Sequence, residues 1–91
     1  VIRSYRDDDT RRLAERIRVK KFEAIEGPAR EKLRILNTAQ SQRDLSLPGL
    51  RLEKLKGTRG SQYSIRVNNQ YRLCFRWKDD DAHDVELTDY H

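Results

Sequence analysis

The stretch from Tyr63 to Trp77 limits the fold more tightly than any other part of the chain. Tyr63, Ile65 and Val67 alternate with Gln62, Ser64 and Arg66, while Tyr71, Leu73, Phe75 and Trp77 alternate with Arg72, Cys74 and Arg76. A period of two marks strands with one apolar and one wet face. Directly opposed residues of an antiparallel hairpin share a face, so the phase of the two runs dictates the length of the turn between them. A two-residue loop at Asn68-Asn69 would set Ile65 against Arg72 and scramble the faces. A three-residue loop, Asn68 to Gln70, sets Val67 against Tyr71, Ile65 against Leu73 and Arg66 against Arg72. Asparagine also tolerates the left-handed conformation such a loop uses. By the same reasoning Asp79-Asp80-Asp81 should belong to an odd-length connection into Val85 and Leu87, with Asp84, Glu86 and Thr88, and Tyr90 if the strand continues, on the polar side.

Ahead of this hairpin the periodicity becomes helical. Ile2 to Tyr5 is a short extended candidate, and Asp7-Asp8-Asp9-Thr10 supplies an N-cap side chain and an acidic first turn for a helix. Leu13, Ile17, Phe22 and Ile25 carry that helix forward, with a bend marked near Val19. Gly27-Pro28 interrupts, and proline suits the first position of a second helix with Ala29, Leu33, Leu36 and Ala39 on one face, ending near Gln40. Leu47-Pro48-Gly49 has the residues of a type II turn, strands follow it, and 57–60 reads as a connection. The expected architecture is therefore α+β: two N-terminal helices on one face of a twisted antiparallel sheet of four or five strands, in a single domain spanning residues 1–91.

Size and charge narrow the function. A chain of 91 residues, 35% apolar and 38% charged, has room for one thin core. No apolar run approaches the ~20 residues needed to cross a bilayer. Val1 to Arg6 is not a signal-peptide start either, so neither membrane association nor export is expected and the cytoplasm is the expected compartment. Val1 where a methionine is usual fits an alternative start codon or a trimmed chain. The lone Cys74 excludes an internal disulfide and a cysteine-based zinc site. Residues 51–78 carry a net charge of +7 and residues 79–91 a net charge of −6. Such concentrated positive charge suits a polyanion, although a solvated basic face or an acidic protein partner fits it too.

Familiar catalytic constellations are missing: there is no glycine-rich phosphate loop or nucleophile elbow, and His83 with His91 offers two imidazoles for a metal. What remains suits cofactor-free RNA cleavage by the substrate's own 2′-hydroxyl. That reaction needs a proton acceptor, cations on the phosphate and a proton donor for the departing 5′-oxygen. Lys54, Lys56, Arg59, Arg66, Arg72 and Arg76 are candidate cations, while Glu53, Asp89, Tyr90 and His91 are candidate proton-transfer groups. His91 titrates nearest neutral pH, but a terminal histidine also reads as a frayed, exposed residue.

Ile2-Arg3-Ser4-Tyr5, Leu47-Pro48-Gly49-Leu50-Arg51-Leu52 with Leu55-Lys56-Gly57, Tyr63-Ser64-Ile65-Arg66-Val67-Asn68, Tyr71-Arg72-Leu73-Cys74-Phe75-Arg76 and the ending Asp89-Tyr90-His91 together resemble the HigB killer toxins of the RelE/ParE toxin–antitoxin superfamily. The resemblance covers nearly the whole chain and implies a RelE-like fold and a ribosome-dependent endonuclease that cuts mRNA in the 30S A site. It implies a cognate HigA-like helix-turn-helix antitoxin as partner, and contact with operator DNA only through that antitoxin. Carried over position by position, Arg72 would contact the scissile phosphate, Lys56 would assist, and Asp89, Tyr90 and His91 would form the C-terminal part of the site. The family often has a histidine where this chain has Glu53. A carboxylate there either serves as the general base or pairs with Lys54 or Lys56, and both readings stay open. The runner-up is a non-enzymatic, ParE-like DNA gyrase inhibitor, disfavoured by the Asp-Tyr-His ending. A third is a basic module that only binds RNA or a partner.

Overall fold

A computed structural model describes residues 1–56 and 62–89. The connection expected at 57–60, with Arg59 in it, and the terminal Tyr90 and His91 lie outside the described residues. Helix α1 (Asp8–Ala14), a 3-10 segment (Lys20–Ile25) and helix α2 (Glu26–Thr38) precede strands β1 (Glu53–Lys54), β2 (Gln62–Arg66), β3 (Tyr71–Lys78) and β4 (Asp81–Asp89). The strands form an antiparallel sheet in sequence order. The N-terminal segment lies along β4 in parallel, through bridges from Ile2 to Ala82 and Tyr5 to Val85. The α+β arrangement expected from the pattern is the one observed. Leu13, Phe22, Leu33 and Leu36 from the helical layer bury against Ile65, Leu73, Phe75, Val85 and Leu87 from the sheet. Among the described residues no helix is long and apolar enough to cross a membrane.

The helices depart from expectation at their ends. α1 stops at Ala14 without a glycine: Arg16 adopts the left-handed conformation at φ 64°, its N–H bonds to the Leu13 carbonyl, and the Ile17 N–H reaches the Arg12 carbonyl at 2.8 Å. These two bonds form a Schellman closure, which turns the chain and leaves Ile17 40% exposed instead of on the apolar face. Phe22 and Ile25 therefore belong to the 3-10 segment, which runs directly into α2. Gly27 and Pro28 do not interrupt the helix. They lie in the first turn of α2, where backbone N–H groups have no intrahelical partner and proline loses nothing. The 47–50 turn is a 3-10 turn, not type II, and the left-handed residue is Arg51 at φ 46°.

In the sheet, the β2–β3 register is the one its alternation demands, with Ile65 opposite Leu73, Arg66 opposite Arg72, and the Val67 N–H bonded to the Tyr71 carbonyl. The β3–β4 turn corrects the expectation of an odd loop. It has two residues, Asp79 and Asp80, both at positive φ, closing the pair Lys78 and Asp81 as a type I′ hairpin does. The phase is recovered instead by a bulge, where Asp84 and Val85 together oppose Phe75 and Asp84 takes a left-handed φ of 52°. This extra residue lets Ala82, Val85 and Leu87 all enter the core.

Where β4 passes α1, the Leu87 N–H donates to the Thr10 hydroxyl at 3.0 Å, and Thr10 is completely buried. A backbone donor there has no access to water, so the hydroxyl is its necessary partner. Thr10→Val keeps the side-chain shape and removes the acceptor. It is expected to lower the unfolding free energy by about 1–3 kcal/mol, read as a reduced urea midpoint at unchanged slope.

Candidate active site

Alternation along the strands assembles the candidate site on the face of the sheet turned away from the helices. Three cross-strand rows cross it: Arg66, Arg72 and Thr88; Glu53, Ser64, Cys74 and Glu86; and Gln62, Arg76 and His83. Arg66 and Arg72 are direct neighbours, a like-charge pairing that a sheet tolerates only when each group is otherwise held. Arg66 donates to the Asn69 side-chain oxygen in the adjoining turn.

Arg72 is largely enclosed, with 11% of its side chain exposed against 42% for Arg76. Its Nε donates to Ser64 Oγ at 2.8 Å, and its Nη2 donates to the carbonyls of Arg51 at 2.5 Å and Ser64 at 3.3 Å. The left-handed turn at Arg51 follows the 3-10 turn and brings that carbonyl to the guanidinium. These acceptors satisfy N–H groups without neutralising the charge. The Glu53 carboxylate stands 4.0 Å from Nη1 and is itself 59% exposed, so it meets the cation at long range. A mostly buried guanidinium held by neutral acceptors costs desolvation energy and is well suited to receive an anion.

Arg76 is different. Its Nε donates to Asp84 Oδ2 at 2.7 Å, and this bond holds the Asp84 carboxyl below the ordinary aspartate value, assisted by Coulombic attraction to Arg76 and a hydrogen bond from Ser4. Glu86 lies 3.9 Å from Arg6. The positive charge of the face is therefore closely compensated at its Arg76 end, and at Arg72 it meets a carboxylate only at long range.

Of the remaining sequence-predicted residues, Lys54 pairs with Tyr63 and so falls on the opposite side of the ladder from Glu53. Lys56 is exposed, two residues past β1. Asp89 pairs with Tyr71 on the helix-bearing side and accepts a bond from Gln70 Nε2 at 2.9 Å, so the structure does not bring it to the face of Arg72. Arg59, Tyr90 and His91 are outside the described residues. Among the described residues, no three His, Cys, Asp or Glu side chains gather as a metal site. Glu53 forms its ion pair with Arg72 and not with Lys54 or Lys56, the partners its sequence neighbourhood suggested. Sequence reasoning missed Ser64 and the Arg51 carbonyl. Ser64 was detectable, because the hairpin register sets it diagonally across from Arg72 on the same face. The Arg51 contribution depends on a turn whose geometry carried no residue signal.

A family model described as the RelE-like toxin of the type II toxin–antitoxin system HigB matches residues 1–91. The chain belongs to the HigB-like toxin family. It is also 43% identical over 76 residues to Toxin HigB-1 of Vibrio cholerae, covering 82% of this chain and 73% of that protein. A HigB-like toxin is one component of a type II system, so an antitoxin is its partner.

The Arg76 and Asp84 pair has a measurable signature. Asp84 is expected to titrate below the usual aspartate range of about 3.9, and Arg76→Ala should return it toward that range in a carboxyl NMR titration. A carboxylate whose folded pKa is depressed adds stability above its unfolded pKa and loses it as pH falls through the folded one. Wild type and Arg76→Ala should accordingly converge in stability as pH drops below the ordinary carboxylate range.

Proposed function

We propose that this toxin stops translation by cutting mRNA in the A site of the ribosome, with the 2′-hydroxyl of the message as nucleophile. The observation that carries the proposal is Arg72, a largely enclosed guanidinium fixed by a hydroxyl and two carbonyls on the sheet face turned away from the helices. In the reaction the 2′-oxygen bonds to phosphorus, its proton passes to a base, and the bond from phosphorus to the 5′-oxygen breaks. That oxygen takes a proton and leaves, giving a 2′,3′-cyclic phosphate and a 5′-hydroxyl. Arg72 neutralises charge on the non-bridging oxygens as the pentavalent state forms, where a preorganised donor is most effective. Arg66, beside it, takes a neighbouring phosphate, and Lys56, Arg59 and Arg76 guide the RNA, with Lys54 on the other side of β1.

Glu53 is the proposed base: a carboxylate accepts a 2′-hydroxyl proton, and its position near Arg72 puts base and phosphate clamp at one locus. The proposed donor to the 5′-oxygen is His91, with Tyr90 completing the C-terminal part of the site, while Asp89, on the other side of β4, is left out of it. The reading includes a single cytoplasmic domain and a HigA-like helix-turn-helix antitoxin that carries the pair to operator DNA. It draws support from family membership and from the setting of Arg72.

With purified ribosomes programmed by a defined message, new 5′ ends should map within the A-site codon, and message free of ribosomes should stay intact. Arg72→Ala is expected to slow cutting by about 100-fold or more while the protein stays folded, with a thermal midpoint lowered by the loss of the Ser64 and Arg51 contacts. Undiminished cutting by that variant, or intact programmed message with the wild type, refutes the proposal.

A further inference from the structure

We infer that Ser64 is the positioning residue of Arg72, setting the plane in which the guanidinium meets its anion. The inference rests on the proposed role of Arg72 at the phosphate. An arginine side chain has several rotatable bonds, and the bond from Nε decides which way the planar fork faces. Here that bond goes to Ser64 Oγ at 2.8 Å, and the Ser64 carbonyl adds a longer contact to Nη2 at 3.3 Å. Ser64 is completely buried in the middle of β2, although the alternation puts it on the polar side of that strand. A small hydroxyl at such a position costs desolvation unless it is partnered, and its partner is Arg72.

The geometry has a further consequence for how the anion is gripped. Nε and Nη2 form the side-on edge of the guanidinium, and protein acceptors from β2 and the 48–51 turn occupy it. The remaining nitrogen, Nη1, stands 4.0 Å from the Glu53 carboxylate. Ser64 therefore helps direct Nη1 to the same locus as the carboxylate. Without the Ser64 hydroxyl, Nε loses its acceptor, and the fork is held through Nη2 alone by the Arg51 and Ser64 carbonyls, so that its plane pivots about that nitrogen while the charge is kept. A misdirected clamp binds substrate nearly as before but stabilises the transition state less, so the loss should fall on kcat more than on KM.

The test compares Ser64→Ala and Ser64→Thr in wild type and in an Arg72→Lys background, by single-turnover cleavage on programmed ribosomes. Lysine keeps the charge and has no Nε. With Arg72 present, Ser64→Ala should slow the chemical step about 10-fold to 100-fold with little change in KM, and Ser64→Thr, which keeps the oxygen, should recover most of the rate. With Lys at position 72, Ser64→Ala should cost almost nothing further. An equal loss in both backgrounds overturns the inference, because Ser64 would then act on the fold at large. Nitrogen-15 NMR of the Arg72 Nε–H reads the same bond without RNA. Its exchange should be slow in the wild type and fast in Ser64→Ala, with Arg76 unchanged. Equal Arg72 exchange in the two proteins overturns the positioning role whether or not the toxin cuts mRNA, whereas protected exchange with no cleavage by the wild type refutes only the nuclease reading.

Discussion

The pairing of β2 with β3 is the constraint on which the other features depend. Once Ile65 faces Leu73 and Tyr63 faces Phe75, the helical layer has an apolar surface to cover, and Arg66 and Arg72 must stand together on the opposite face. A shift of one residue would exchange these faces, burying arginines under α2 and exposing the core residues to water. Core burial and site assembly are thus two results of one register. The bulge at Asp84 extends the same logic into β4, because it keeps Val85 and Leu87 on the core side after a two-residue turn.

Electrostatics then divides the basic face. Arg76 has a close carboxylate, Asp84, and behaves as a structural ion pair that also ties down the N-terminal segment through Ser4. Arg72 has hydroxyl and carbonyl acceptors, which orient it but leave its charge available. Two arginines a few residues apart on one strand, similar in sequence context, therefore have different uses. In the proposed cleavage the first is a clamp for developing phosphate charge and the second a guide for the backbone of the message.

Much of the fold could be read from residue patterns because alternation and helical spacing are local. The strand assignments for β2 and β3, the three-residue loop, and the membership of the arginines in one face followed from the phase of Tyr63 to Trp77 alone. The errors lay where backbone conformation departs from residue preference. Arg16, Arg51 and Asp84 all adopt positive φ without being glycine, and each ends or redirects an element that its sequence would have continued. Gly27 and Pro28 misled in the opposite sense: residues usually read as a break sit harmlessly in a first helical turn, where missing donors are normal.

The candidate site divides along the same line. The chain alone determined which chemical groups were present and which of them shared a sheet face, since a period of two and a fixed loop length are properties of consecutive residues. Only the tertiary structure decided what those groups touch: that Glu53 stands near Arg72 and not beside its neighbouring lysines, that Asp89 falls on the helix-bearing side, and that Ser64 and the Arg51 carbonyl hold the guanidinium. Those contacts join residues far apart in sequence through a left-handed turn and a strand edge. Their geometry depends on how the elements close against one another, a quantity that no local pattern of residue types encodes.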